Sequence, residues 1–294
     1  MIVGVGAAVA VAVAAAVLAL GGGGGSGDAR PAAAPRVDRF DSERAFAELR
    51  RQVELGPRPA GSDVLRGLAR RLRRELPRGR FERVPGHPRL RNVVGRIRGT
   101  KPAIVVAAHY DTKDLPGFVG ANDGAAGTAA VLELARALRA MERPRGAPQV
   151  RFVLFDGEEA SDDSRPFRET GLRGSSAYAA RHADEIGALI LLDFIATKDL
   201  SIRRERNSDR GLWRQLRAAA GKVGAASAFP PGSLDGALID DHVPFLERGV
   251  PAIDVIQWPY ECYHRRCDDV SAVSERSLDR TGEAVLQLVR TLMR

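Results

Sequence analysis

Several ingredients are scarce in this chain. Of 294 residues only 2 are cysteine and 5% are aromatic, and just 4 of the 45 basic residues are lysine. So few cysteines exclude a disulfide-rich miniprotein. Beyond residue 20 no long uncharged apolar run occurs, which excludes a polytopic membrane protein. The 31 glycines and 17 prolines follow no collagen-like period, and a 44% hydrophobic composition excludes global disorder. No internal repeat is visible, and no stretch interleaves basic with aromatic residues. The net charge of +8 is therefore read as an arginine surplus on a solvated surface, not as a nucleic-acid site.

What is present divides the chain in three. Residues 2–20 carry no charge, which predicts a signal peptide or an N-terminal membrane anchor over 1–20, and with it a secreted or membrane-anchored, extracytoplasmic location. The run has no Lys or Arg before it, and the nearest basic residues, Arg30, Arg36 and Arg39, follow it. Residues 21–37 are rich in Gly, Ala and Pro and read as a flexible linker. A single domain is expected over 38–294.

Within that domain the periodicity alternates. Helices are predicted from the N-cap Asp41 through Glu54, and over Ser62–Glu75, Gly127–Met141, Ser175–His182, Gly211–Val223 and Glu275–Met293, with a short helix or turn at His242–Arg248. Strands are predicted at Phe81–Val84, Asn92–Ile97, Ala103–Ala108, Val150–Phe155, Ala188–Phe194 and Ala252–Ile256. The last four are near-continuous apolar runs, the signature of strands covered on both faces. Such strands alternating with helices imply an α/β three-layer sandwich with a mostly parallel central sheet. Its functional crevice lies beyond the carboxyl ends of the strands.

The residues at those ends share one chemistry. Ala103–Ala108 ends at His109, followed by Tyr110 and Asp111; Asn122-Asp123 precede the next helix. Val150–Phe155 runs into Asp156-Gly157-Glu158-Glu159, Asp193 closes the strand after it, and the last strand leads through Trp258 and Tyr260 to His264. Imidazoles and carboxylates suit zinc, which binds them at about 2.0–2.2 Å. Five candidate ligands, His109, Asp123, Glu159, Asp193 and His264, exceed one open tetrahedral shell and suffice for two metals bridged by a carboxylate. Of the adjacent pair, Glu159 can bind metal while Glu158 stays free as a general base. Asp111 has the spacing to orient the His109 imidazole. Trp258 can serve as an aromatic wall or as core.

The strings Ala108-His109-Tyr110-Asp111-Thr112-Lys113, Gly120-Ala121-Asn122-Asp123-Gly124, Phe155-Asp156-Gly157-Glu158-Glu159-Ala160 and Asp240-Asp241-His242-Val243-Pro244-Phe245-Leu246 resemble the zinc-dependent exopeptidase superfamily. Together they are more similar to its glutaminyl-peptide cyclotransferases than to its aminopeptidases. The resemblance covers residues 40–294. It implies one zinc held by Asp123, Glu159 and His264, Glu158 as acid/base, and a carboxylate network of Asp193 with Asp240 or Asp241. The aminopeptidase alternative implies two zinc ions, His109 and Asp193 completing a second site around Asp123; a non-catalytic binding module is the further alternative. Peptide or protein N-termini are the implied substrates, and a monomer is expected. The chain departs from the cyclotransferase pattern at Tyr263, where a Trp precedes the last His, and at Ser161-Asp162-Asp163-Ser164, where a Trp follows the Glu pair. Cys262 and Cys267 flank His264 and can form a disulfide that stiffens its loop.

Overall fold

The structure is a computed structural model and describes residues 38–294. Six strands, β1 (Arg80–Val84), β2 (His87–Ile97), β3 (Thr100–His109), β4 (Pro148–Phe155), β5 (Ile186–Asp193) and β6 (Ala252–Ile256), join in one sheet of order β1-β2-β4-β3-β5-β6. The pairs β3/β4, β3/β5 and β5/β6 are parallel, whereas β1/β2 and β2/β4 are antiparallel. The strand β2 begins at His87 and not at Asn92. Its first residues are exposed and polar, so no apolar pattern marks them, but they pair with β1 as a hairpin.

Side-chain alternation along β3 explains the layers. Ile104, Val106 and Ala108 face one way and pack with the helices α1 (Ser42–Val53), α2 (Asp63–Glu75), α3 (Gly127–Ala140), α6 (Arg210–Lys222) and α8 (Glu275–Leu292). Val105 and Ala107 face the other way, against α5 (Arg173–His182) and α7 (Val243–Leu246), which supply Tyr178 and Phe245; the short α4 spans Phe167–Thr170. A period of two puts successive residues on opposite faces, so a strand buried on both must be apolar throughout. The starts of α1 and α2 are capped by side chains. The Asp41 carboxylate accepts from the Arg44 N–H at 2.9 Å, and the Ser62 hydroxyl accepts from the Leu65 N–H at 3.1 Å.

The chain leaves β3 to one side for β4 and returns to its other side for β5. Strand order reverses there, and a crevice opens at the carboxyl end of β3. Register keeps the strand ends level: His109 pairs with Phe155, and Asp193 with Ile256. Helix α3 starts directly on these ends. A Cβ at Gly127 would lie 2.3 Å from the Leu192 carbonyl oxygen, so only glycine permits the approach.

The secreted or membrane-anchored location expected from residues 2–20 does not stand. Those residues, and the linker expected at 21–37, lie outside the described residues. Among the described residues no helix is long and apolar enough to cross a membrane.

Candidate metal centre and active site

Five loops converge at the strand ends. His109, the last residue of β3, is buried, with Nε2 at 3.2 Å from Asp123 Oδ1 and 3.4 Å from Asp193 Oδ1. Its Nδ1 lies 3.1 Å from the backbone carbonyl oxygen of Asp111 and 3.7 Å from the carboxylate of the same residue. The carbonyl is thus the nearer partner; an Nδ1–H donating to it would leave Nε2 facing the two aspartates as a ligand atom. The Asp111 carboxylate instead accepts the backbone N–H groups of Glu158 and Glu159, each at 3.3 Å. It ties the loop after β4 to the loop after β3.

Asp123 sits on a wide helical turn, Ala121–Ala126, broken at Asp123 and Gly124 by non-helical dihedrals. Gly124 has φ +94°, and a Cβ there would fall 2.7 Å from the Asp111 carbonyl oxygen, so the turn requires glycine. The buried Asp268 carboxylate accepts the N–H groups of Asn122 at 2.8 Å and Asp123 at 3.1 Å, and the hydroxyl of Tyr260 at 2.7 Å. The Asn122 side chain accepts from the Ala196 N–H and donates to Thr197 Oγ1, both at 2.9 Å, which joins this turn to the chain after β5.

His264 comes from the loop after β6 with φ +51°, its ring stacked on Tyr263 at 3.8 Å between centroids. Its Nε2 is 3.3 Å from Glu159 Oε2 and 3.8 Å from Asp123 Oδ2. Cys262 and Cys267 form a disulfide that closes this loop around the histidine.

Two groups of three thus share Asp123: His109–Asp123–Asp193 and Asp123–Glu159–His264. Donor atoms bound at about 2.0–2.2 Å in a tetrahedron stand roughly 3.3–3.6 Å apart. The contacts of 3.2, 3.4, 3.3 and 3.8 Å match or closely approach that spacing. The buried atoms His109 Nε2, Asp123 Oδ2 and Glu159 Oε1 have no hydrogen-bond partner among the described residues, as expected of atoms that await a cation. Both groups therefore fit a metal.

Burial and mutual repulsion set the charge state of the acids. Burial raises Glu159 to about 7, with Asp123 adding to it against His264 and His109. Burial likewise raises Asp193 to about 7, opposed by His109. Glu158 is pushed well above the usual carboxylate range by burial and then by Glu159. Burial by itself would lower the pKa of His109, but Asp111, Asp123 and Asp193 raise it well above the ordinary value. A fully buried cation near these acids is Arg58, held by the carbonyls of Gln52, Gly56, Val119 and Gly120. Burial lowers its pKa to about 10, against the pull of Asp268, Asp123 and Asp111.

A cavity of about 480 Å³ opens onto this centre. Asp123, Glu158, Glu159, Asp193, Asp240 and His264 line it with Phe167, Phe194, Leu238, Trp258 and Tyr263, and Lys113, Asp163 and Arg165 also border it. Trp258 takes both expected roles, since it lines the cavity and packs on the small cluster of Phe194, Ile256 and Tyr260. The structure separates the two aspartates that the sequence leaves as alternatives. Asp240 borders the cavity, whereas Asp241 is fully buried and absent from its lining. Around Asp240 stand residues that the sequence reading missed. His242 Nε2 is 3.3 Å from Glu205, its Nδ1 is 3.8 Å from Asp254, and all three are fully buried. Asp240, His242 and Asp254 are a third group close enough to hold a metal. The available signal was Asp254, one acid inside the apolar strand Ala252–Ile256. Asp268, the residue after Cys267, carried no comparable mark.

An α/β sandwich whose strand ends gather histidines and carboxylates in groups that fit a metal, beside a free carboxylate in a cavity, fits the class of metal-dependent enzymes of exopeptidase type. Within that class the chain belongs to Peptidase family M28, whose model matches residues 92–289. It is similar to the crystal structure of an Acidobacteriales bacterium glutaminyl cyclase, with a TM-score of 0.78 and 30% identity over 90% of this chain and 99% of that one. The Porphyromonas gingivalis glutaminyl cyclase follows with a TM-score of 0.76 and 27% identity over 87% and 99%. A leucine aminopeptidase precursor from Bacteroides thetaiotaomicron shares the fold, with a TM-score of 0.77 and 21% identity over 87% and 99%. Among curated proteins it is 28% identical to the Drosophila melanogaster glutaminyl-peptide cyclotransferase over 67% of this chain, and 29% identical to Bacillus subtilis aminopeptidase YwaD over 63%. The chain spans 63% of the first of these and 40% of the second.

Proposed function

We propose that this chain is a zinc-dependent glutaminyl-peptide cyclotransferase that converts the N-terminal Gln of peptides or proteins to pyroglutamate and releases ammonia. Residues 38–294 form its one catalytic domain, acting as a monomer. The observation that carries this reading is the 30% identity, at a TM-score of 0.78, to a glutaminyl cyclase of which the chain covers 99%.

Asp123, Glu159 and His264 would hold the metal, which supplies a Lewis acid for the side-chain amide carbonyl. The remaining work falls to side chains. Glu158 faces the cavity beside that trio, where it can take a proton from the attacking α-amine. As the new bond between the α-nitrogen and the amide carbon closes the ring, Glu158 returns the proton to the leaving nitrogen. The carbon–nitrogen bond of the side-chain amide then breaks and ammonia departs. A carboxyl whose pKa is raised by burial and a neighbouring acid suits a group that must both accept and donate. Asp193 and Asp240, facing the same cavity, orient the amine. Phe194, Trp258 and Tyr263 keep water from the ring-closing step.

The group His109–Asp123–Asp193 favours a second reading, a two-zinc aminopeptidase in which Glu158 would deprotonate the attacking water. Supplying the purified protein with a Gln-initiated peptide and a Leu-initiated chromogenic amide distinguishes the two. Ammonia from the first substrate supports cyclisation, and chromophore release from the second supports hydrolysis. Glu158→Gln should slow the reaction by about 10²- to 10⁴-fold with zinc still bound. Wild-type activity in that variant would remove Glu158 from the acid/base role.

A further inference from the structure

A second cavity, of about 470 Å³, adjoins the catalytic one, and Leu238 and Trp258 line both. The ridge between them is held on each side. The Leu238 N–H donates to Oε2 of the buried Glu205 at 3.0 Å, and the Leu238 carbonyl accepts from Asn207 Nδ2 at 3.0 Å. The loop beyond the ridge is tied to the neighbouring segment by the Leu234 N–H, which donates to the Arg204 carbonyl at 2.8 Å. Gln257, which lines the second cavity, is spent on both ends of its amide. It accepts from the Ser201 N–H at 2.7 Å and donates to the Asp199 carbonyl at 3.2 Å. This is a preformed recess, not a gap between mobile loops.

Arg203 is the unspent group in it. It is exposed on the cavity wall, and among the described residues its guanidinium has neither a hydrogen-bond nor an ion-pair partner. Asp235 lines the same cavity without pairing with it. Arg204 and Arg206, close in the chain, direct donors at backbone carbonyls and do not line the cavity, which leaves Arg203 as its cation. A peptide whose first residue lies against Glu158 and Glu159 must leave through the mouth of the catalytic cavity. Ile239 and Tyr263, 44% and 40% exposed, offer apolar surface along that exit.

We infer that the second cavity is a subsite for the residues beyond the second position of a peptide substrate, and that Arg203 selects an acidic side chain there. The inference rests on the reading that a peptide N-terminus occupies the catalytic cavity. A guanidinium with free donors in a shallow recess pairs with a carboxylate more readily than with a neutral or cationic side chain.

The test is equilibrium binding to the Glu158→Gln protein, which should consume peptides about 10²- to 10⁴-fold more slowly. The probes are three labelled Gln-initiated peptides: a dipeptide, a tetrapeptide with Glu at positions three and four, and one with Lys there. The acidic tetrapeptide should bind tightest, about three-fold more tightly than the Lys peptide, as expected of a partly exposed ion pair. Arg203→Glu should reverse the order of the two tetrapeptides, and Arg203→Lys should keep it. Equal affinities across the three peptides, an order unchanged by Arg203→Glu, or no binding at all would each overturn the subsite. The cyclotransferase reading fails separately, if the wild-type protein binds with this preference yet releases no ammonia.

Discussion

The two groups that fit a metal share Asp123 but are built in different ways. His109 and Asp193 sit at the ends of adjacent parallel strands, both buried, so backbone pairing fixes their separation. Glu159 and His264 come from loops, and the His264 side chain is 23% exposed. Glu159 is placed by the Asp111 carboxylate and His264 by the disulfide around it, while Asp268 holds the turn of the shared Asp123. The first group is thus a product of the sheet, and the second of side-chain ties between loops. Ties of that kind can be cut one at a time without unfolding the core, which makes the comparison open to experiment.

The largest effect is expected where the two groups overlap. Asp123→Ala should abolish zinc binding and turnover together, whereas His109→Ala removes a ligand from the strand-built group alone. If the loop-built group is the catalytic one, zinc analysis of His109→Ala should still find metal. Loss of all metal in that variant would make the strand-built group the primary site. Next comes the tie beneath Asp123. Asp268→Asn weakens the acceptor for the Asn122 and Asp123 N–H groups, and competition with a chelator should show zinc affinity lower by about 10- to 100-fold. Unchanged affinity would mean that the turn holds Asp123 without it. The smallest effect should follow from opening the disulfide. Cys262→Ser with Cys267→Ser frees only a short loop, so the melting temperature should fall by a few degrees, on the order of 2 kcal/mol of stability. Zinc affinity should fall by less than it does in Asp268→Asn. A larger loss than in that variant would make the disulfide the main support of His264.

The same division marks what the sequence could reveal. The apolar runs of β3, β4, β5 and β6 each announce a strand buried on both faces, and His109, Glu158, Glu159 and Asp193 follow as the residues where those runs stop. A strand end is a position in a local pattern, so periodicity finds it. Asp268 accepts from a backbone N–H 146 residues away, and Arg58 satisfies four carbonyls, two of them more than sixty residues on. Neither contact leaves a periodic trace. Asp111 lies between these cases. Its spacing from His109 suggested an imidazole partner, yet its carbonyl takes that place and its carboxylate holds the Glu158–Glu159 loop. Spacing found the residue, and only the fold could assign its atoms.

Cyclisation at the loop-built group, with Glu158 beside it, would set this chain apart from a hydrolase. Mass spectrometry of a Gln-initiated peptide after incubation with the purified, zinc-loaded protein tests it most directly. Cyclisation yields a product lighter by one ammonia that retains every residue. Free glutamine together with a peptide shortened by one residue would contradict it.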